Sequence, residues 1–173
     1  ILKELVLQSK SYLLVTVHRA ANTDDVSNLQ GIVAALNAIS EPIVFPVHPR
    51  TRAKLAEYGC ALGPHIRAID PVSYFDLLVL ESDARLVLTD SGGMTKEAYI
   101  VGTPCLTLRD LSEWIETVEV GWNTVVNTDP QAILHAVRYF KPPPEHPALY
   151  GDGKTSLHIV EALERYVPVQ SPI

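Results

Sequence analysis

Short apolar runs alternate with stretches of helical periodicity along the chain. Residues 12–17 (YLLVTV), 43–47 (IVFPV), 66–69 (IRAI), 86–88 (LVL), 106–108 (LTL) and 124–126 (TVV) read as strands bounded by polar, glycine or proline residues. A helix is expected over 26–39, where Leu29, Ile32, Val33 and Leu36 share one face. Asn22-Thr23-Asp24-Asp25 offers it cap chemistry, and Glu41-Pro42 ends it. Further helices are expected over 51–58 with Gly59 as the stop, over 74–81, and from the Ser91-Gly92-Gly93 turn to Gly102. Two more are expected over 113–120 and from Asp129-Pro130 to residue 140. Residues 141–153, opening Lys141-Pro142-Pro143-Pro144, read as a stiff connector to a last helix over 154–166, and the tail after Pro168 is expected to be loose. The opening ILKELVLQSK reads as the tail of a helix entering the first strand. Without an initiator Met, the chain is expected to be part of a larger protein.

Strands alternating with amphipathic helices define an α/β class. The expected fold is a three-layer, doubly wound, Rossmann-like parallel sheet with helices on both faces, forming a single domain over 1–173. Ligands of such sheets bind beyond the C-terminal strand ends. Here nearly every strand end carries chemistry: His18-Arg19, His48-Pro49-Arg50, Asp70, Asp90-Ser91-Gly92-Gly93 and Arg109-Asp110.

The most informative stretch is 86–109. A strand, the Ser91-Gly92-Gly93 turn and a helix start form an anion site, because glycines admit close backbone approach and the helix start offers free N–H groups. Glu97, about one turn into that helix, can accept hydrogen bonds from ribose hydroxyls. Glycines placed only for turn geometry fit the same pattern equally well. His18 and His48 suit donation to phosphate, or acid and base roles near a sugar; loop histidines satisfied by backbone are the structural alternative. Arg19, Arg50 and Arg109 suit bidentate phosphate clamping, with Arg109 the best placed and Arg50 equally suited to a solvated helix start. Asp90 reads as a cap of its turn. His65, His135, His146 and His158 share no spacing and read as surface residues.

Charge and composition narrow the classes. Net charge is −6 with no basic stripe, which argues against a nucleic-acid partner, and the 47% apolar share is ample for a core. Cys60 and Cys105 fit no metal or redox spacing, so buried thiols in a reducing cytosol are expected. No apolar run reaches membrane-spanning length, no signal peptide is visible, and no set of His, Asp or Glu has metal-ligand spacing. Residues 148–155 (ALYGDGKT) match a phosphate loop with Ala for its first Gly. They follow prolines where a true phosphate loop follows a buried strand, so they read as a helix start.

Thr16-Val17-His18-Arg19-Ala20-Ala21-Asn22, Phe45-Pro46-Val47-His48-Pro49-Arg50-Thr51, Thr89-Asp90-Ser91-Gly92-Gly93 with Lys96-Glu97-Ala98, and Thr107-Leu108-Arg109-Asp110 with Glu116-Thr117 resemble the non-hydrolysing UDP-N-acetylglucosamine 2-epimerases. The resemblance extends to Tyr150-Gly151-Asp152-Gly153-Lys154. It implies the C-terminal half of a two-domain GT-B architecture, with the N-terminal domain missing. The implied activity is interconversion of UDP-GlcNAc and UDP-ManNAc by elimination and re-addition of UDP, without metal or nicotinamide.

It also implies site roles. Ser91, Gly92 and Gly93 would cradle the diphosphate and Glu97 would hold the ribose. His18 would sit at the diphosphate beside the reacting sugar. The loop from Asp70 to Leu77 would face uracil, with Val72 using its backbone. Arg19, His48 and Arg109 complete the substrate-binding set. A homodimer of the longer cytoplasmic protein is expected, and the isolated half is expected to be inactive, because the family's proton-transfer carboxylates lie in the other domain. The chain departs from the family pattern at Ala21 (usually Glu), Thr95 (usually Gln) and Trp114 (often Arg), and its 113–123 segment looks closer to the branch acting on UDP-2,3-diacetamido sugars. Alternatives from other classes are a GT-B glycosyltransferase donor half, a non-catalytic nucleotide-binding module and a purely structural α/β domain.

Overall fold

A computed structural model describes residues 1–166. Six strands, β1 (Leu13–Thr16), β2 (Ile43–Pro46), β3 (Ile66–Ile69), β4 (Leu86–Thr89), β5 (Cys105–Thr107) and β6 (Asn123–Val125), form one sheet in the order β3-β2-β1-β4-β5-β6. All pairings are parallel, with Thr16 opposite Thr89 and Thr89 opposite Thr107. Strand order reverses between β1 and β4, which opens a crevice at the C-terminal ends of those two strands.

The central strands β1, β2 and β4 are buried at every position because both faces are covered, while the edge strands β3 and β6 carry partly exposed residues. Period-2 alternation divides their side chains. Leu13, Val15, Ile43, Phe45, Leu86 and Leu88 enter one core with Leu29, Ile32 and Leu36 of α2 (Val26–Ala38) and Ile133 of α7 (Pro130–Tyr139). Leu14, Val44 and Val87 enter the other with Leu80 of α4 (Tyr74–Asp83) and with Met94 and Ala98 of α5 (Gly92–Ile100). The expected three-layer architecture is therefore present.

Local chemistry sets the helix starts. Side chains of Asp25, Ser73, Ser91 and Asp129 accept N-terminal amides of α2, α4, α5 and α7, and Pro130 opens α7. Three expectations are corrected. The helix α3 (Pro49–Glu57) begins two residues before Thr51, because His48 Nδ1 accepts from Arg50 N at 3.2 Å and Pro49 supplies a preset φ. The helix α6 is only Ile115–Glu119, because Glu113 is drawn out to Arg109 and Trp114 N bonds Ser112 Oγ. The opening segment is turns over 2–6, closed by Leu5 N and Leu7 N on the Ile1 and Leu2 carbonyls, and not a helix. A short helix α1 (Ala20–Thr23) was not signalled by periodicity.

Residues 141–153 have no regular structure but dock by bonds to helix α5 and its neighbourhood: Tyr99 Oη donates to the Pro147 carbonyl and Trp122 Nε1 to that of Glu145. His146 lies at the surface, as expected, and stacks on Tyr99 with ring centroids 4.2 Å apart. The final helix α8 (Thr155–Arg165) has no buried residue and exposes Leu157, Val160 and Leu163. The expectation for the tail after Pro168 lies outside the described residues.

Candidate functional site at the sheet switch point

Asp90 organises the crevice. It ends β4 fully buried, and its carboxylate reaches across to β1, accepting from His18 N (3.1 Å), Arg19 N (2.9 Å) and Asn22 Nδ2 (3.1 Å). Asn22 also donates to the Leu108 carbonyl at 2.9 Å, so one buried network ties the ends of β1, β4 and β5 together. The registry is reinforced beneath it by a Thr16 Oγ1–Thr89 Oγ1 bond of 2.6 Å. A charged acceptor shared by several buried donors fixes geometry well, because any movement leaves donors unpaired.

On this base sit His18 and the α5 turn. The His18 side chain is 38% exposed, with Nε2 3.9 Å from Asp90 Oδ1. His48, at the end of neighbouring β2, brings its ring centroid to 6.0 Å from that of His18. Opposite them, Ser91 Oγ caps Met94 N at 3.4 Å, and Thr95 Oγ1 donates back to the Ser91 carbonyl at 2.9 Å. Gly92 and Gly93, the first residues of α5, have amides without intrahelical acceptors, pointed where the helix dipole favours an anion. Glu97 lies further along α5 and accepts from Tyr74 Oη at 3.1 Å, which raises the Tyr74 phenol above its ordinary pKa. Val72 and Leu77 line an apolar cavity of about 140 Å³ together with Thr16, His18, Pro46 and His48.

The arginines divide. Arg109 Nη1 meets Glu113 Oε1 at 2.8 Å, and Arg19 Nη2 meets the same oxygen at 3.5 Å. The hydrogen bond from Arg109, and then the charges of Arg109 and Arg19, hold the Glu113 carboxyl below its usual range. Arg50 pairs instead with Asp24, at the start of α3, so it is not among the groups that converge. Arg19 and Arg109 also border a second cavity of about 550 Å³, on the flank of α1, beside Ala21, Asn28, Asp110 and Asn127.

His18, His48, Val72 and Leu77 therefore meet at one cavity, while Arg19 and Arg109 meet at Glu113 beside Gly92. Two neighbours were missed. Tyr74 contacts Glu97 across 23 residues of sequence, and Glu113 joins two arginines from separate strand ends. The Tyr74–Glu97 and Arg19–Glu113 contacts leave no periodic trace, whereas the i,i+4 spacing of Arg109 and Glu113 is a signal that could have found that pair. Among the described residues no group of three His, Cys, Asp or Glu side chains is placed to hold a metal, and no helix is long and apolar enough to cross a membrane.

Fold and site together define a doubly wound α/β domain whose switch-point crevice gathers two histidines, two arginines and the N-terminus of α5. Residues 1–164 match the family model described as UDP-N-acetylglucosamine 2-epimerase, and the chain belongs to that family. It is 44% identical over 168 residues to a UDP-N-acetylglucosamine 2-epimerase homolog of Methanococcus maripaludis, covering 94% of this chain and 47% of that protein. It is 42% identical over 159 residues to the UDP-2,3-diacetamido-2,3-dideoxy-D-glucuronate 2-epimerase of Pseudomonas aeruginosa, covering 89% and 44%. The UDP-GlcNAc 2-epimerase of Methanocaldococcus jannaschii, solved with UDP-GlcNAc and UDP, superposes with a TM-score of 0.82 at 37% identity, over 90% of this chain and 46% of that one. The chain thus spans about half the length of the relatives it matches.

Proposed function

We propose that this chain is the UDP-holding, C-terminal half of a two-domain GT-B nucleotide-sugar 2-epimerase. The observation that carries the reading is the placement of the free-amide turn at Gly92-Gly93 across the switch point from His18, with Glu97 further along the same helix. In this arrangement the turn amides and Ser91 receive the diphosphate and Glu97 receives the ribose hydroxyls. The Val72–Leu77 cavity takes the flat apolar face of the base. The unpartnered apolar face of α8 supports the presence of a further domain.

The chemistry follows from charge. A base removes the C2 proton of the sugar, the C2–H electrons form a C1=C2 double bond, and the C1–O bond breaks with its electron pair on the departing β-phosphate oxygen. Donors fixed at that oxygen stabilise the transition state more than the ground state, where the charge is smaller. His18, the α5 N-terminus and the nearby arginines supply those donors. Re-addition of UDP after the 2-acetamidoglucal has turned, with proton return to the other face, completes inversion at C2. The proton-transferring carboxylates belong to the other half.

UDP-GlcNAc is the substrate of this reading. A UDP-2,3-diacetamido sugar is the second, favoured by the 42% identical UDP-2,3-diacetamido-2,3-dideoxy-D-glucuronate 2-epimerase. Product analysis by NMR tests both. The full two-domain protein should convert UDP-GlcNAc, or the diacetamido analogue, to its C2 epimer without an acceptor, while the present chain alone should form none. Glycoside formation by the full protein, or turnover by this chain, contradicts the proposal.

A further inference from the structure

The crevice already contains an anion belonging to the chain. Glu113 Oε1 faces the guanidiniums of Arg109 and Arg19, and its other oxygen, Oε2, lies against Gly92 so closely that a methyl group there would overlap it. Gly92 is the first residue of α5, so this carboxylate stands beside the helix N-terminus, where the dipole favours negative charge. A phosphate entering the same turn would meet like charge, and the two arginines nearest to it would already be paired.

The surroundings allow the carboxylate to leave. Glu113 is carried by an irregular segment, residues 109–114 between β5 and α6, so moving it breaks no sheet or helix bond. Its side chain is 43% exposed, which gives it a solvated position to move to. Trp114 holds the base of the segment on the Gly92 carbonyl, so a local swing of Glu113 suffices.

We propose that Glu113 is a latch that competes with the nucleotide's diphosphate for the Gly92 turn and for Arg19 and Arg109, and swings out when the nucleotide enters. This rests on the reading of the Ser91–Glu97 turn as the nucleotide site. The latch neutralises the two cations while the crevice is empty and releases both towards the phosphates on binding. Glu113 therefore sets affinity for the phosphate portion of the ligand and not for its nucleoside.

The test is calorimetric titration of the chain, Glu113→Gln and Glu113→Ala with UDP and with uridine. Glutamine keeps the side-chain shape and removes the charge; alanine removes both. Both variants should bind UDP about tenfold more tightly than the unmodified chain, because a like charge is lost and two cations are freed, while uridine affinity stays unchanged. UDP binding only in the variants supports the latch equally. Unchanged or weaker UDP binding by the variants overturns it, making Glu113 a fixed positioner of the arginines. Tightening of uridine to the same extent also overturns it. Absence of binding in all three proteins removes the latch together with the nucleotide-site reading, so the two failures are distinguishable.

Discussion

Asp90→Ala is expected to melt about 10 °C below the unmodified chain and to lose most of its affinity for UDP. The carboxylate is fully buried and accepts from three donors of the β1–α1 turn, including the amides of His18 and Arg19. Truncation leaves one buried and two partly buried donors without that partner, at a cost of about 3 kcal/mol. Because the same bonds place His18 against the α5 turn, stability and binding should fall together. Differential scanning calorimetry and UDP titration on one preparation check the pair. A variant that melts like the unmodified chain would mean that water replaces the carboxylate at no cost.

Glu81→Gln should have the opposite sign, and its effect should depend on pH. Glu81 lies on α4 with no exposed surface, and neither carboxylate oxygen has a hydrogen-bond partner. Burial, assisted by the charge of Glu97, pushes its pKa up to about 8. Below the ordinary glutamate range both folded and unfolded states carry the proton, so the group costs no stability there. As pH rises from about 4.5 to about 8 the unfolded chain ionises first, and stability falls by up to roughly 5 kcal/mol. Above about 8 the folded state also carries the buried charge, and the loss is complete. Glutamine has no such titration. The variant should match the unmodified chain near pH 4.5 and melt about 10 °C above it at pH 8.5. Parallel melting curves across that range would show that Glu81 is solvated or paired in solution.

Much of the architecture is legible because its causes are local. The runs at 12–17, 43–47 and 86–88 are apolar on successive residues, which only a sheet covered on both faces tolerates in strands so short. Asp25, Ser73, Ser91 and Asp129 announce helix starts through ordinary cap chemistry. What escaped depends on side-chain partners that periodicity and propensity do not signal. His48 caps α3 with an imidazole nitrogen, an unusual cap that propensity does not signal. A helix over 113–120 is too long because Glu113 turns back to Arg109, four residues earlier, and across to Arg19 on the end of β1, and only the first of these partners is local. Glu81, a charged residue in an amphipathic stretch, gave no sign of complete burial.

The site divides in the same way. Histidines and glycines at strand ends are visible as a pattern, since a parallel sheet brings all C-terminal ends to one edge. The partners of those residues are not. Arg109 reads as the best free phosphate clamp, yet in the folded chain it is paired with Glu113. Arg50 turns towards Asp24 and away from the crevice. Thr95, where the family pattern has Gln, is buried and spends its hydroxyl on the Ser91 carbonyl, so it supports the turn from beneath.

The measurement that bears most directly on the central claim is isothermal titration of this chain with UDP, repeated on Glu97→Ala. The account predicts saturable binding that the substitution weakens about tenfold or more, as expected for loss of a charged acceptor to two ribose hydroxyls. Well-folded chain that fails to bind at millimolar UDP, or that binds UDP equally well without Glu97, would contradict it.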